Sequence, residues 1–131
     1  MPTKKKILLM EDEKPLANAL EFKFKDAGFD VEVGYDGAEG MEKLKSHSYD
    51  LLLLDLVMPR KDGFAVLQEM HDNGIHIPVI ALTNLSQHED LERVKAFGVL
   101  DYLVKSDVAL NEVVARVRQF FTENNKKTPA A

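Results

Sequence analysis

The 131-residue chain has no cysteine, which excludes disulfide scaffolds, thiol nucleophiles and cysteine-based zinc sites. It has no long hydrophobic run. No wholly apolar stretch exceeds Leu51 to Leu54, far short of a membrane span. The apolar stretch that follows Lys4-Lys5-Lys6 ends at Met10, too soon for a secretory signal. Nor does positive charge predominate. The net charge is -5, so non-specific nucleic-acid binding is not the default. Lys4 to Lys6 form a basic cluster without aromatic company, which reads as a solubilising edge. Neither a GxxxxGK loop nor a GxGxxG turn is present, which disfavours nucleotide binding of those kinds. His47, His71, His76 and His88 lack metal-ligand spacing, and most are expected at the surface. By elimination the expectation is a soluble, cytoplasmic domain with no membrane and no nucleic acid among its partners.

The length fits one domain, and 45% apolar with 30% charged residues is an ordinary globular mix. The expected division is a domain over 4–122 and a short polar tail over 123–131. Four short apolar runs stand out: Ile7 to Met10, Leu51 to Leu54, Ile77 to Leu82 and Leu100 to Val104. They do not alternate, so they read as strands buried on both faces. Phe29 to Val33 alternates with Asp30 and Glu32 and suits an edge strand. Between the runs lie helical stripes. Leu16, Leu20, Phe24 and Ala27 form the first, and Leu110, Val113, Val114, Val117 and Phe121 the cleanest. Strand and helix therefore alternate five times, which predicts an α/β fold with a parallel sheet and helices on both faces.

In an open parallel sheet the ligand site lies beyond the carboxyl ends of the strands. Glu11 and Asp12 follow the first run, Asp55 the third, Thr83 the fourth and Lys105 the fifth. Three carboxylates held close repel one another, and one tends to keep its proton unless a cation intervenes. Mg²⁺ suits an all-oxygen site of one or two carboxylates plus phosphate oxygens. Lys105 could pair with a carboxylate or a phosphate, and Thr83 offers a hydroxyl to a phosphate oxygen. These are the parts for phosphoryl transfer onto a carboxylate, with Asp55 as nucleophile. Taken singly, each residue has a plainer reading: Asp12 or Thr83 as a helix cap, Lys105 as a surface lysine.

Lys6 to Glu13, Asp50 to Pro59, Asp62-Gly63, Pro78 to Thr83 and Asp101 to Lys105 together resemble a response-regulator receiver domain. The likeness covers roughly residues 5 to 121. It implies a flavodoxin-like, doubly wound (βα)5 fold with a parallel five-stranded sheet in the order 2-1-3-4-5. It implies phosphorylation of Asp55 by a sensor histidine kinase or a histidine phosphotransfer protein. Asp12 and Asp55 would bind Mg²⁺ by side chain, Val57 by its carbonyl and Glu11 through water. Thr83 and Lys105 would hold the phosphoryl group, and Thr83 and Tyr102 would form the switch. Output would pass through the fourth helix, fifth strand and fifth helix to a downstream protein, with a homodimer through that face suggested by analogy. The chain is expected to assist its own phosphorylation and dephosphorylation without being a conventional enzyme, and to act as a stand-alone receiver or in a phosphorelay.

Two residues depart from the family pattern. Ser106 follows Lys105 where proline, often cis, is usual. A cis bond before serine costs about 2.5–4 kcal/mol, so a trans loop, or helix capping by Ser106 and Asp107, is expected. Asn84 follows Thr83 where alanine, glycine or serine is usual; the larger amide would narrow access to Asp55 or hydrogen-bond the phosphate, which predicts an altered phosphate lifetime. Asn84-Leu85-Ser86 matches the glycosylation pattern, without meaning in a cytoplasmic chain. Two other classes fit parts of the sequence: an interaction module that no longer switches, favoured by Ser106 and Asn84, and a Mg²⁺-dependent hydrolase using Asp55, for which no cap-sized insertion exists.

Overall fold

The computed structural model describes residues 4–85 and 87–127. The elements run β1 (Lys6–Met10), α1 (Lys14–Asp26), β2 (Asp30–Gly34), α2 (Gly37–Ser46), β3 (Leu51–Leu54), α3 (Gly63–Asp72), β4 (Val79–Thr83), α4 (His88–Ala96), β5 (Asp101–Val104), a 3₁₀ turn (Lys105–Asp107) and α5 (Leu110–Lys127). All strands are parallel, in the order β2-β1-β3-β4-β5. This is the flavodoxin-like sheet that the family resemblance implies.

The apolar runs fail to alternate because both faces of the central strands are covered. Ile7, Leu9, Leu51 and Leu53 pack with Leu20 and Phe24 of α1 and Val113 and Val117 of α5. Leu8, Met10, Leu52 and Leu54 pack on the opposite side with Met41 of α2, Phe64 and Leu67 of α3 and Val94 of α4. All eight strand residues are essentially inaccessible to solvent. Each apolar side chain so buried contributes about 1.5–3 kcal/mol, so this double-sided core fixes the strand ends, and with them the site. The alternating strand, β2, lies at a sheet edge.

Local chemistry sets several boundaries. Asp36 caps α2 by accepting from the Glu39 amide at 2.8 Å, and the Glu39 carboxylate reaches back to the Tyr35 amide at 3.0 Å. Asp62 caps α3 through the Ala65 amide at 2.8 Å. The plain reading of Asp12 and Thr83 as caps is not realised: the N-cap positions of α1 and α4 are Glu13 and Gln87, neither with a side-chain cap bond. β4 begins two residues later than the apolar run and takes in Thr83. The tail expected from 123 is corrected in part, because α5 continues to Lys127; residues 128–131 of that tail lie outside the described residues, as does Ser86 of the Asn84-Leu85-Ser86 pattern. Among the described residues no helix is long and apolar enough to cross a membrane. All four histidines are exposed.

Candidate functional site

The sheet ladder brings the predicted residues to one edge. The Glu11 amide donates to the Gly34 carbonyl at 3.0 Å, and the Asp55 amide to the Met10 carbonyl at 3.0 Å. Both carboxylates thus leave the backbone at fixed points just beyond β1 and β3. Lys105 leaves from the end of β5, across β4 in the sheet. Its ammonium nevertheless lies 2.9 Å from Asp55 Oδ2 and 2.7 Å from Glu11 Oε1. A third carboxylate, Glu13 Oε2, lies 3.1 Å from the same nitrogen. No described peptide bond is cis, so Lys105 reaches the pocket through a trans bond to Ser106 and a 3₁₀ turn.

Burial makes these contacts strong. Glu11 is 1% exposed and Asp55 4%. Burial pushes the Glu11 carboxyl up to about 7; Lys105 and the Glu13 amide, which donates to Glu11 Oε2 at 3.0 Å, oppose the rise, and the charge on Asp55 adds to it. Burial pulls the Lys105 ammonium down, but Glu11 and Asp55 outweigh it and hold the group above the ordinary lysine value. The compensation that crowded carboxylates need is supplied in part by Lys105 itself.

The remaining need fits a cation. Glu11, Asp12 and Asp55 each offer an oxygen within 4.8 Å of the others, an all-oxygen set of the kind hard divalent ions take. Glu11 Oε1 accepts no directed hydrogen bond among the described residues, although the ammonium lies against it. Val57 is 54% exposed in the loop after β3, and its amide donates to Asp55 Oδ1 at 3.1 Å. That loop is held at its far end by the Gly63 amide on the Leu56 carbonyl at 3.0 Å and by Arg60 Nε on Asp36 Oδ2 at 3.0 Å.

Thr83 and Tyr102 meet at one residue. Thr83, fully buried at the end of β4, accepts from the Leu85 amide at 3.4 Å. The Tyr102 hydroxyl donates to the Leu85 carbonyl. The half-buried Tyr102 therefore lies against the β4–α4 loop, while Asn84 stands exposed on it. Reading the sequence missed Leu85 and Glu13: both act through a backbone group or a contact 92 residues away, which no local spacing signals.

The chain matches the model of the "Response regulator receiver domain" over residues 7–118. It is 36% identical over 113 residues to the transcriptional regulatory protein DltR of Streptococcus agalactiae, covering 86% of this chain and 50% of that protein. It is 39% identical over 121 residues to the transcriptional regulatory protein CiaR of Streptococcus pneumoniae, covering 92% of this chain and 53% of that protein. The chain thus spans about half the length of these relatives. Their names describe transcriptional regulation, which qualifies the expectation that nucleic acid plays no part, for proteins of that greater length. Among solved structures, a Francisella response regulator receiver domain superposes with a TM-score of 0.83 at 31% identity, covering 92% of this chain and 99% of that one. A CheY-like receiver domain from Methanospirillum hungatei gives 0.87 at 21% identity, covering 95% and 99%.

Proposed function

The chain belongs to the response regulator receiver domain family, and from that premise we propose that Asp55 accepts a phosphoryl group and that the β4–α4 loop carries the change outward. The observation that supports this best is the Lys105 ammonium 2.9 Å from Asp55 Oδ2 inside a buried acidic pocket.

An Asp55 oxygen attacks the phosphorus of a phosphohistidine on a kinase or phosphotransfer protein. The P–N bond breaks, and its electron pair leaves on the imidazole nitrogen, which takes a proton. Asp12 and Asp55 by side chain, Val57 by its carbonyl and Glu11 through water would hold Mg²⁺, which when bound supplies charge neutralisation at the phosphoryl oxygens. Lys105 is already beside Asp55 and needs little movement to bond a phosphoryl oxygen. Its exchange of a carboxylate for a phosphoryl partner keeps the ammonium paired throughout.

The new oxygens give Thr83 a better partner than the long bond from the Leu85 amide. When the hydroxyl turns to them, Leu85 loses one of its two anchors and Tyr102 follows the loop. The surface formed by α4, β5 and α5 is thereby altered for a downstream protein. We propose protein contact or phosphorelay as the output, consistent with the chain's net charge of -5, and self-assisted phosphorylation and dephosphorylation in place of conventional turnover. Ser106 and Asn84 do not favour a silent module, because Lys105 reaches Asp55 regardless.

Incubation with Mg²⁺ and a small acyl-phosphate donor, followed by intact mass measurement, tests this. One added phosphoryl group is expected, absent in Asp55→Asn. No adduct, or an adduct unaffected by Asp55→Asn, refutes it; many-turnover release of phosphate from unrelated monoesters would point to a hydrolase instead.

A further inference from the structure

We propose that Glu13 is a positioning residue for Lys105, the fixed post that keeps the ammonium at the pocket while its other partners change. The inference rests on the reading of Asp55 as phosphoacceptor. The Lys105 ammonium makes directed hydrogen bonds to two side chains among the described residues, Asp55 Oδ2 at 2.9 Å and Glu13 Oε2 at 3.1 Å. The first of these is the reacting group. Once Asp55 carries a phosphoryl, its oxygens and charge are rearranged, and the contact with Lys105 changes with them. Glu11 belongs with Asp12 and Asp55 to the cation-sized cluster, whereas Glu13 does not. Glu13 is therefore the one partner of the ammonium that the reaction leaves as it was.

Among the described residues the Glu13 side chain has no partner besides Lys105. Glu13 occupies the N-cap of α1, with φ -77° and ψ 98°, but its side chain makes no cap bond. Glutamate is not among the favoured N-cap residues. The carboxylate turns from the helix to Lys105, and its own amide donates to Glu11 Oε2 at 3.0 Å. One residue thus orients Glu11 by its backbone and Lys105 by its side chain. A lysine side chain carries four rotatable bonds and a large rotamer entropy, so a second tether shortens the search for the productive position. The alternative is an exposed ion pair without consequence, since the Glu13 side chain is 58% exposed and many such pairs contribute nothing.

The test is a double-mutant cycle in the full chain: wild type, Glu13→Ala, Lys105→Met and the double variant, each with Mg²⁺ and a small acyl phosphate, reading the initial rate of adduct formation by mass. Glu13→Ala is expected to slow the wild type about threefold, the scale of one exposed ion pair. It is expected to add nothing in the Lys105→Met background, because it acts through that lysine. Glu13→Gln, which keeps an acceptor, should fall between. Independently of activity, proton exchange at the Lys105 ammonium, followed by nitrogen-edited NMR, should be faster in Glu13→Ala than in wild type. Unchanged exchange together with an unchanged rate, or equal slowing in both backgrounds, overturns the proposal and leaves the phosphoacceptor reading intact. A wild type that takes no phosphoryl group overturns both.

Discussion

Replacing Lys105 by methionine removes the ammonium that two buried carboxylates share, at 2.7 Å from Glu11 and 2.9 Å from Asp55. Methionine keeps much of the stem's packing, so the loss is chiefly electrostatic. Removing one partner of a buried ion pair costs about 3–5 kcal/mol when the other charge stays uncompensated. Here a carboxyl can take up a proton, which caps the loss near the lower end. In the wild type the Glu11 value is raised from 4.5 to about 7. A carboxyl raised on folding contributes stability that is fully present below its unfolded value and is lost as pH rises through its folded value. Wild-type stability from this group therefore falls between 4.5 and about 7. Without Lys105 the Glu11 carboxyl rises further, so its penalty continues to grow above that window. The variant's deficit is expected to grow by up to about 1.4 kcal/mol between pH 5 and pH 8, about one pH unit above the wild-type Glu11 value, which is roughly 5 °C in melting temperature for a domain of this size. Mg²⁺ at the alkaline end should recover part of it. Thermal melts followed by circular dichroism at both pH values, with and without Mg²⁺, provide the measurement. A deficit that does not vary with pH, or no deficit at all, would refute the idea that this lysine compensates a protonation-prone pocket.

Three further outcomes are expected. Gly63→Ala should destabilise the fold by about 2 kcal/mol or more, because the added carbon would lie 2.6 Å from Leu56 Cα and 2.7 Å from the Asp55 carbonyl oxygen, neither able to yield; chemical denaturation with an unchanged midpoint would contradict this. Tyr102→Phe removes the bond to the Leu85 carbonyl and should cost about 1 kcal/mol, with faster amide exchange confined to the β4–α4 loop. Asn84→Ala should shorten the lifetime of the phosphorylated state, since it replaces the exposed amide next in the chain to Thr83 by a smaller side chain; equal dephosphorylation rates for parent and variant would dispose of that idea.

The fold was legible in the sequence to the extent that burial is two-sided. Ile7 to Met10 and Leu51 to Leu54 announce central strands because no residue in them faces water, and the alternation at Asp30 and Glu32 announces an edge. Glu11, Asp12, Asp55 and Lys105 were legible because strand ends in a parallel sheet share one rim, and the structure brings them together there. Element boundaries were less so: Thr83 belongs to β4 because the pairing with Val104 holds it, a fact of the neighbouring strand. The reach of Lys105 past Ser106 and its meeting with Glu13 depend on a turn geometry and on contacts between distant segments, which composition and spacing do not encode. The extension of α5 to Lys127 overrides a polar stretch that by itself argues for no helix.

The close approach of α2 to the sheet carries a lesson for mutational scanning. A methyl group on Gly40 would meet the Met10 sulfur at 2.4 Å, and one on Gly34 the Gly40 Cα at 2.8 Å. In a library scored only by signalling output, these two silent spacers would score as badly as the phosphoacceptor itself. Pairing that score with cellular abundance would separate them: variants at Gly34 and Gly40 would vanish from the cell, whereas an Asp55→Asn protein would accumulate and say nothing.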